Sequence, residues 1–206
     1  MPERVAALLL DLDGTLVDSE GFHRQVFRNW FAARGWSVDE EVLAGFTGRR
    51  ADDVLAGEPG PWAGEDVAGM TEELLGHMAS LPRPRLAPGA VELVLECPVP
   101  LALVTSANTG WARRCLGELL DRFAVVVTRD EVDNGKPHPE PYALAIRTLG
   151  VEPAACVAVE DAPAGVASAL AAGVGTVVAV SGTFTAAQLA AAHVVVTGLG
   201  EVRSLL

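Results

Sequence analysis

The chain has 206 residues, 50% hydrophobic and 20% charged, which is enough to bury one sizeable core at an ordinary globular composition. Its formal net charge of −12 argues against nucleic acid and anionic membrane surfaces as partners, because both are bound by basic patches. The three cysteines are far apart and form no CxxC motif, so neither a disulfide framework nor a zinc site is indicated.

The first predicted element is a strand that ends in two aspartates. Residues 5–10 are all apolar, and Asp11 and Asp13 follow, with a Gly-Thr pair behind them. A short apolar run closed by turn residues is typical of a buried strand in a parallel sheet. Residues i and i+2 share one face, so both carboxylates would project beyond the end of the strand, where open α/β sheets bind ligands. The pair could perform covalent and acid–base chemistry, or the segment could be a plain Asp-Gly turn.

Residues 19–85 predict helices and no strand. Apolar residues recur at helical spacing from Phe22 to Phe31, and Ser37 or Asp39 could cap a second helix. Further helices are predicted at 51–55 and 65–80, with a loop at 58–64 and a proline-rich linker at 82–88. We therefore predict an all-helical cap domain at residues 19–85.

From Pro88 onward, predicted strands alternate with predicted helices. The strands are expected at 101–106, 125–128, 155–161, 176–180 and 194–196. The helices are expected at 88–96, 110–120, 139–149, 164–172 and 186–191. Such alternation indicates βαβ units and a parallel sheet. The predicted fold class is α/β, with a Rossmann-like parallel sheet core at residues 1–18 and 86–206 that is interrupted by the helical cap.

Three predicted strands end in polar residues, which are, in chain order, Asp11 and Asp13, Thr105 and Ser106, and Glu160 and Asp161. These ends should converge at one edge of the sheet. Four carboxylates in one place repel one another unless a hard cation lies among them, and oxygen ligands of this kind suit Mg²⁺. Alternatively, the last two acids cap the helix that follows them.

Lys136 is the one lysine among fifteen basic residues, and it lies in the segment NGKPHPEP between a predicted strand and a predicted helix. A chain that otherwise uses arginine suggests a need for a compact point charge here. The alternative is an incidental surface lysine in a turn.

Four segments together resemble the motifs of the haloacid dehalogenase-like hydrolases, in the phosphatase branch that has a small helical cap. They are DLDGT (11–15), LVTS (103–106), GKPHPEPY (135–142) and VEDAPAG (159–165). The resemblance covers nearly the whole chain. It implies that Asp11 is a nucleophile that forms an aspartyl-phosphate, and that Asp13 is the general acid and then the base. The dehalogenases themselves lack the second aspartate, which argues against that activity.

The resemblance also implies how phosphate and metal would be held. Thr105 and Lys136 would bind the phosphoryl oxygens, with Ser106 helping through its backbone. Mg²⁺ would be bound by Asp11, the main-chain carbonyl of Asp13, Asp161 and, directly or through water, Glu160.

Two further positions resemble family features more weakly. His23 falls where β-phosphoglucomutases of the family have a histidine near the hinge that helps gate acid–base chemistry; it could equally be a partly exposed helix histidine. Arg49 and Arg50 lie in FTGRRADD, which resembles the substrate loop of the cap. We expect these arginines to bind a sugar or a distal phosphate, the alternative being that they are simply solvated.

The resulting hypothesis is a Mg²⁺-dependent phosphatase of small phosphomonoesters, namely sugar or polyol phosphates. A β-phosphoglucomutase-like phosphomutase is the first alternative, and a non-catalytic phosphate-binding module is the second. We expect a cytoplasmic protein, because the chain begins without a signal-peptide pattern and has no run long enough to span a membrane. We also expect a monomer that has a small phosphorylated metabolite as its partner.

Overall fold

A six-stranded parallel sheet lies at the centre of the computed structural model, which describes residues 5–205 and only the backbone at positions 79 and 80. The strands are β1 (Ala7–Leu10), β2 (Val17–Asp18), β3 (Arg85–Leu86), β4 (Leu101–Val104), β5 (Val125–Val127), β6 (Cys156–Glu160), β7 (Thr176–Val180) and β8 (Val194–Val196). The order in the sheet is β5-β4-β1-β6-β7-β8, with every neighbouring pair parallel. Strands β2 and β3 form a separate antiparallel pair.

Nine α-helices surround and extend this sheet within the described residues. They are α1 (Glu20–Ala33), α2 (Glu40–Ala44), α3 (Ala51–Gly57), α4 (Val67–Ser80), α5 (Ala90–Glu96), α6 (Thr109–Leu116), α7 (Glu140–Leu149), α8 (Pro163–Ala171) and α9 (Leu199–Val202). Helices α1–α4 all lie between β2 and β3, and this stretch, residues 20–80, is called the helical insertion below. No helix of the described chain has the length and apolarity needed to cross a bilayer.

The central strands are apolar on both faces because helices cover both sides of the sheet. Leu8 and Leu10 of β1 belong to a hydrophobic cluster with α5, α6 and α9. Ala7 and Leu9 belong to the cluster on the other side, with α7 and α8. Alternate residues of one strand therefore lie in different cores, as the two-residue period of a strand requires.

The helical insertion has a third core of its own. Its centre is aromatic: Trp30 and Trp62 are buried, and the rings of Phe31 and Trp62 stack with centroids 5.8 Å apart. An independent core is what a separate domain needs, and it supports the predicted division of the chain. The boundaries at 19 and 85 stay predictions.

The α/β class with its parallel sheet is confirmed, and three local predictions differ from the structure. Arg85 lies in a strand although residues 19–85 were expected to hold none, because it pairs with Asp18 where the chain enters and leaves the helical insertion. A two-residue pairing is too short to give an alternating pattern. Helix α9 follows the last strand, where no element was predicted.

The predicted helix at 186–191 is also wrong, since these residues form turns. The Thr185 and Gln188 side chains bond to each other's backbone N–H groups and start one turn. By His193 the backbone N–H already donates to Val177 and so joins the edge of the sheet. The alanine-rich segment favours helix, but too few residues separate the turn from β8 for a helix to propagate.

Candidate active site

The polar ends of β1, β4 and β6 lie side by side, because these strands are neighbours in the order β4-β1-β6. Asp11, Asp13, Thr105, Ser106 and Asp161 line one cavity of about 130 Å³ between the sheet edge and the helical insertion. The carboxyl edge of a parallel sheet is the usual ligand site of α/β proteins, so the location suits catalysis.

Lys136 lies under this cavity and is buried, with its ammonium group in an enclosed network. Its Nζ donates to Asp11 Oδ1 at 2.6 Å, to Glu160 Oε1 at 2.6 Å and to the carbonyl oxygen of Val104 at 2.9 Å. The Tyr142 hydroxyl donates to the same Glu160 Oε1 at 2.6 Å. All three ammonium hydrogens are therefore used, which fixes the orientation of the Asp11 carboxylate.

Burial and charge act in opposite directions on this network. Burial alone would lower the pKa of Lys136, but the carboxylates of Asp11 and Glu160 outweigh it and the pKa is raised. Burial raises the pKa of Asp11 well above its usual value, with Lys136 opposing the rise and Glu160 and Asp161 adding to it. Tyr142 likewise has a raised pKa, first from burial and then from Glu160.

Three carboxylates form a group that could hold a metal ion. Asp11, Glu160 and Asp161 each offer an oxygen, and these oxygens lie within 4.8 Å of one another. Together with Lys136 they have a formal charge of −2, which one divalent cation would balance. Burial and then Glu160 raise the pKa of Asp161 to about 7, as expected where negative charge is uncompensated.

Asp161 supports the metal assignment most directly. Both of its carboxylate oxygens are buried, and in the described part of the chain neither receives a hydrogen bond of regular geometry, although the neighbouring Thr183 hydroxyl lowers its pKa somewhat. A Cβ at Gly14 would lie 1.8 Å from Asp161 Oδ2, so only glycine permits this carboxylate to face β1. Buried oxygens without donors fit a hard cation such as Mg²⁺. The Asp13 side chain is outside the group, and its expected contribution, the main-chain carbonyl, stays a prediction.

Asp13 faces the cavity and is held by an indole that the sequence did not single out. Trp111 Nε1 lies 3.1 and 3.2 Å from the two carboxylate oxygens of Asp13 and donates to them. His23 Nε2 lies 3.7 Å from Asp13 Oδ1. The Trp111 ring is itself packed against Phe22 and His23, with centroids 5.1 and 5.7 Å away. Asp13 is thus fixed in orientation while its carboxylate remains one-fifth exposed.

Thr105 and Ser106 occupy the end of β4 as predicted from the motif, and they differ in what they contact. The Thr105 side-chain oxygen accepts from the backbone N–H of Ala107 at 3.1 Å and lies at the cavity wall. The Ser106 hydroxyl donates to the Gly48 carbonyl oxygen of the helical insertion at 3.1 Å. Its side chain is therefore bonded to the insertion, and only its backbone is available to bind phosphate, as the motif implies.

The cavity-facing arginines all have carboxylate partners. Arg49 lines the cavity, and its Nη1 lies 3.0 Å from Glu58 Oε1. The other two lining arginines pair in the same way: Arg24 with Glu20 and Glu40, and Arg129 with Asp52. Arg129 was not foreseen, because nothing in the sequence near it resembled a motif.

Arg50 is not at the cavity, although it was expected to bind substrate beside Arg49. Its guanidinium is buried and donates to three main-chain carbonyl oxygens in residues 129–133. Neighbouring residues at a helix start point in different directions, so two adjacent arginines reach different surroundings. The structure therefore places Arg50 away from the cavity, contrary to the expected position beside Arg49.

Comparisons with known proteins identify the family of the chain. A family model described as haloacid dehalogenase-like hydrolase matches residues 5–173. The chain is 38% identical over 202 residues to the validoxylamine A 7'-phosphate phosphatase of Streptomyces hygroscopicus subsp. limoneus, covering 95% of this chain and 94% of the relative. It is 39% identical over 180 residues to hexitol phosphatase A of Escherichia coli (strain K12), covering 82% and 81%.

Two further matches bear on the fold and on the mutase alternative. The chain is 31% identical over 244 residues to the β-phosphoglucomutase of Mycobacterium bovis, covering 98% of this chain and 92% of that protein. Its structure is similar to that of CbbY from Rhodobacter sphaeroides in complex with phosphate, with a TM-score of 0.78, 27% identity and coverage of 97% and 99%. The chain therefore belongs to the haloacid dehalogenase-like hydrolases, and its relatives confirm the predicted enzyme class of phosphomonoester hydrolase.

Proposed function

We propose that this protein is a Mg²⁺-dependent phosphatase of small phosphomonoesters, namely sugar or polyol phosphates, that acts through an aspartyl-phosphate. One observation supports this most strongly: Asp11 and Asp13 line the same cavity, and a buried ammonium fixes Asp11. The relatives named hexitol phosphatase A and validoxylamine A 7'-phosphate phosphatase support the substrate class.

In the first half of the reaction, a carboxylate oxygen of Asp11 attacks phosphorus, and the bond from phosphorus to the alcohol oxygen breaks. Asp13 gives a proton to the departing oxygen, so the alcohol leaves neutral. The indole N–H of Trp111, shared between the two carboxylate oxygens of Asp13, holds Asp13 toward the cavity during this step. Lys136 keeps Asp11 oriented and offsets part of the negative charge that would otherwise repel the phosphate.

In the second half, Asp13 accepts a proton from water while the water oxygen attacks phosphorus. The bond from phosphorus to Asp11 breaks, and inorganic phosphate leaves. Asp11 returns as a carboxylate and Asp13 is again protonated, so the cycle balances. The phosphoryl oxygens would meet Thr105 and the backbone of Ser106 at the end of β4.

Asp11 and Asp161 would hold the Mg²⁺, with Glu160 behind them because its Oε1 is already bonded to Lys136 and Tyr142. A bound Mg²⁺ supplies positive charge that offsets the charges of the nucleophile and the phosphate. An ion bound to the folded state alone also stabilises it, by about 2.7 kcal/mol at a concentration one hundred times Kd.

The phosphomutase alternative requires cations that grip a second phosphate. Each arginine lining the cavity in the described structure is already paired with a carboxylate, and Lys136 does not line it. Releasing an arginine for a second phosphate would break its ion pair and leave its carboxylate partner without that cation. This favours hydrolysis over transfer.

The test is phosphate release by purified protein from a panel of sugar, hexitol and glycerol phosphates, with Mg²⁺ or with EDTA. We expect turnover with Mg²⁺, loss with EDTA, and a melting temperature that rises when Mg²⁺ is added. Turnover that persists in EDTA would contradict the metal assignment. No release from any phosphomonoester would contradict the proposed function.

A further inference from the structure

Arg50 makes a set of contacts that neither catalysis nor substrate binding explains. Its Nη2 donates to the carbonyl oxygens of Val132 at 2.6 Å and Arg129 at 3.0 Å, and its Nη1 donates to that of Asp133 at 3.1 Å. The residue is 7% exposed. The helical insertion thus extends one buried cation into a single loop of the core.

That loop, residues 129–135, leads directly into Lys136. Its far side is held by the core itself, because the backbone N–H groups of Asp133 and Asn134 donate to the Glu140 carboxylate at 2.9 and 3.0 Å. On the side that faces the insertion, Arg50 donates to the main-chain carbonyl oxygens of Val132 and Asp133. The loop that leads into Lys136 is therefore bonded both by the core and by the insertion, and Arg50 supplies its buried contacts from the insertion.

The insertion and the core pack closely around Arg50, so a movement of the insertion would displace the 129–135 loop. A Cβ at Gly135 would lie 2.8 Å from Arg50 Cδ and 2.9 Å from its Nε. Arg129 at the start of the loop forms an ion pair with Asp52 of the insertion. A few residues away, a Cβ at Gly48 would lie 2.5 Å from the Ala162 side chain. The insertion and the core meet here without spare room.

We propose that Arg50 is a positioning residue that couples docking of the helical insertion to the placement of Lys136, and through it of Asp11. This rests on the proposed function for its kinetic consequence. When the insertion is docked, the guanidinium holds the 129–135 loop, and Lys136 keeps its bond to Asp11. When the insertion moves away, the loop loses that anchor and Asp11 loses its fixed orientation, so chemistry occurs only in the closed form.

A planar guanidinium with several N–H donors suits this task, since it bridges three carbonyl oxygens that diverge from one another. A lysine ammonium has a shorter reach and one nitrogen. Arg50→Lys should therefore preserve the charge and lose the bridge, which separates positioning from charge.

The kinetic test compares wild type, Arg50→Lys and Arg50→Ala on a hexitol phosphate and on p-nitrophenyl phosphate. We expect kcat to fall about 10- to 100-fold on both substrates with little change in KM, because a small misplacement of reacting groups has effects of this size. A substrate-binding arginine would instead raise KM, and only for the substrate with a distal hydroxyl chain. That pattern, or a kcat within about twofold of wild type, would overturn the proposal.

Arg28→Ala is the matched control, because Arg28 is a half-exposed arginine of the same insertion that pairs with Glu40 far from the 129–135 loop. Hydrogen exchange gives a readout independent of activity. We expect faster exchange at residues 129–135 in Arg50→Lys and no change there in Arg28→Ala. Unchanged exchange in Arg50→Lys would overturn the inference even in an active enzyme, whereas faster exchange in a protein inactive on every ester would sustain it while contradicting the proposed function.

Gly135→Ala tests the contact between Arg50 and the loop by a change on the core side. Alone, it should reduce kcat, because the new Cβ displaces the Arg50 side chain. In an Arg50→Ala background the displaced group is absent, so Gly135→Ala should have a smaller effect than in wild type. Additive effects of the two changes would contradict the coupling.

Discussion

Asp11 combines two features that rarely occur together, deep burial and a place on a cavity wall. It is 5% exposed, yet it lines the cavity; burial raises its pKa, and the carboxylates of Glu160 and Asp161 add to the rise. Burial removes competing water, and the bond from Lys136 keeps one oxygen oriented. A carboxylate in this setting is suited to attack phosphorus directly.

Asp11→Asn should abolish turnover and leave the fold intact. The amide matches the carboxylate in shape, cannot form an acyl phosphate, and removes one of several mutually repelling charges, so stability should be equal or higher. We expect kcat to fall about a thousandfold or more in a phosphate-release assay. Asp18→Asn makes the same change on an exposed residue of β2 and should behave as wild type. Residual activity within about tenfold of wild type would refute the aspartyl-phosphate route.

Trp111 fixes the orientation of Asp13, the proposed general acid. Trp111→Phe retains packing against Phe22 and His23 and removes the N–H donor to Asp13. General-acid catalysis matters most for poor leaving groups, so the ratio of kcat for an alkyl phosphate to kcat for p-nitrophenyl phosphate should fall about tenfold. Trp62→Phe is the control, because its Nε1 donates to Glu58 inside the insertion, and it should leave the ratio unchanged. An unchanged ratio in Trp111→Phe would show that the hydrogen bond from Trp111 is not needed for Asp13 to act as the general acid.

Most of this site was predictable from the residue types at strand ends. Contacts between elements that are distant in the sequence were not predictable. Asp11, Lys136 and Asp161 lie in segments with a motif resemblance, so their proximity was expected. Trp111 and Arg129 come from segments without one, and Arg50 was assigned to the cavity because the sequence does not reveal which of two adjacent arginines points inward. Such direction depends on packing of the helical insertion against the core.

The turn after β1 is an element that the site depends on. Gly14 has φ +80°, and its missing side chain leaves the space that Asp161 Oδ2 occupies. A glycine in the left-handed region with a carboxylate against its Cα serves both the turn and the metal group. The contact with Asp161 excludes any side chain at this position, and the positive φ makes one unfavourable as well.

Gly14→Ala should therefore weaken Mg²⁺ binding as well as stability. Gly35→Ala is the control, because Gly35 has φ +71° and open space around its Cα, so it incurs only the backbone strain of about 1–2 kcal/mol. Urea unfolding with and without Mg²⁺ measures both quantities. Gly14→Ala should lose more stability than Gly35→Ala and lose most of the stabilisation by Mg²⁺. Equal responses to Mg²⁺ in the two variants would show that Asp161 is outside the metal site.

Elements buried on both faces were the most predictable. β7 matches its expected bounds, because a continuous apolar run flanked by glycine has few other structures available. The β2–β3 pair, α9 and the turns at 186–191 depend on where other elements place the chain. In each of these, tertiary pairing outweighs a weak local preference.

At the scale of the molecule, the acidic surface and the charge of the site act together. The chain has a net charge of −12, and the cavity's arginines are all paired with acids. We therefore expect an anionic substrate to be attracted by Lys136 and by a Mg²⁺ ion held at Asp11 and Asp161, so that the phosphate that enters is the one that reacts. We expect such a cavity to accept a monophosphate more readily than a bisphosphate.

This charge balance leads to the prediction that separates hydrolysis from transfer. A mutase must retain a bisphosphate intermediate and exclude water while the intermediate turns over. Here, Arg49 would have to leave Glu58 to bind a second phosphate. We therefore expect hexose monophosphates to release phosphate at a rate that a hexose bisphosphate activator does not increase, and Arg49→Ala mainly to raise KM. Coupled assays on β-glucose 1-phosphate measure both products. Formation of glucose 6-phosphate faster than phosphate would show that the enzyme is a mutase, because the phosphoryl group would then be transferred to sugar faster than water hydrolyses the intermediate.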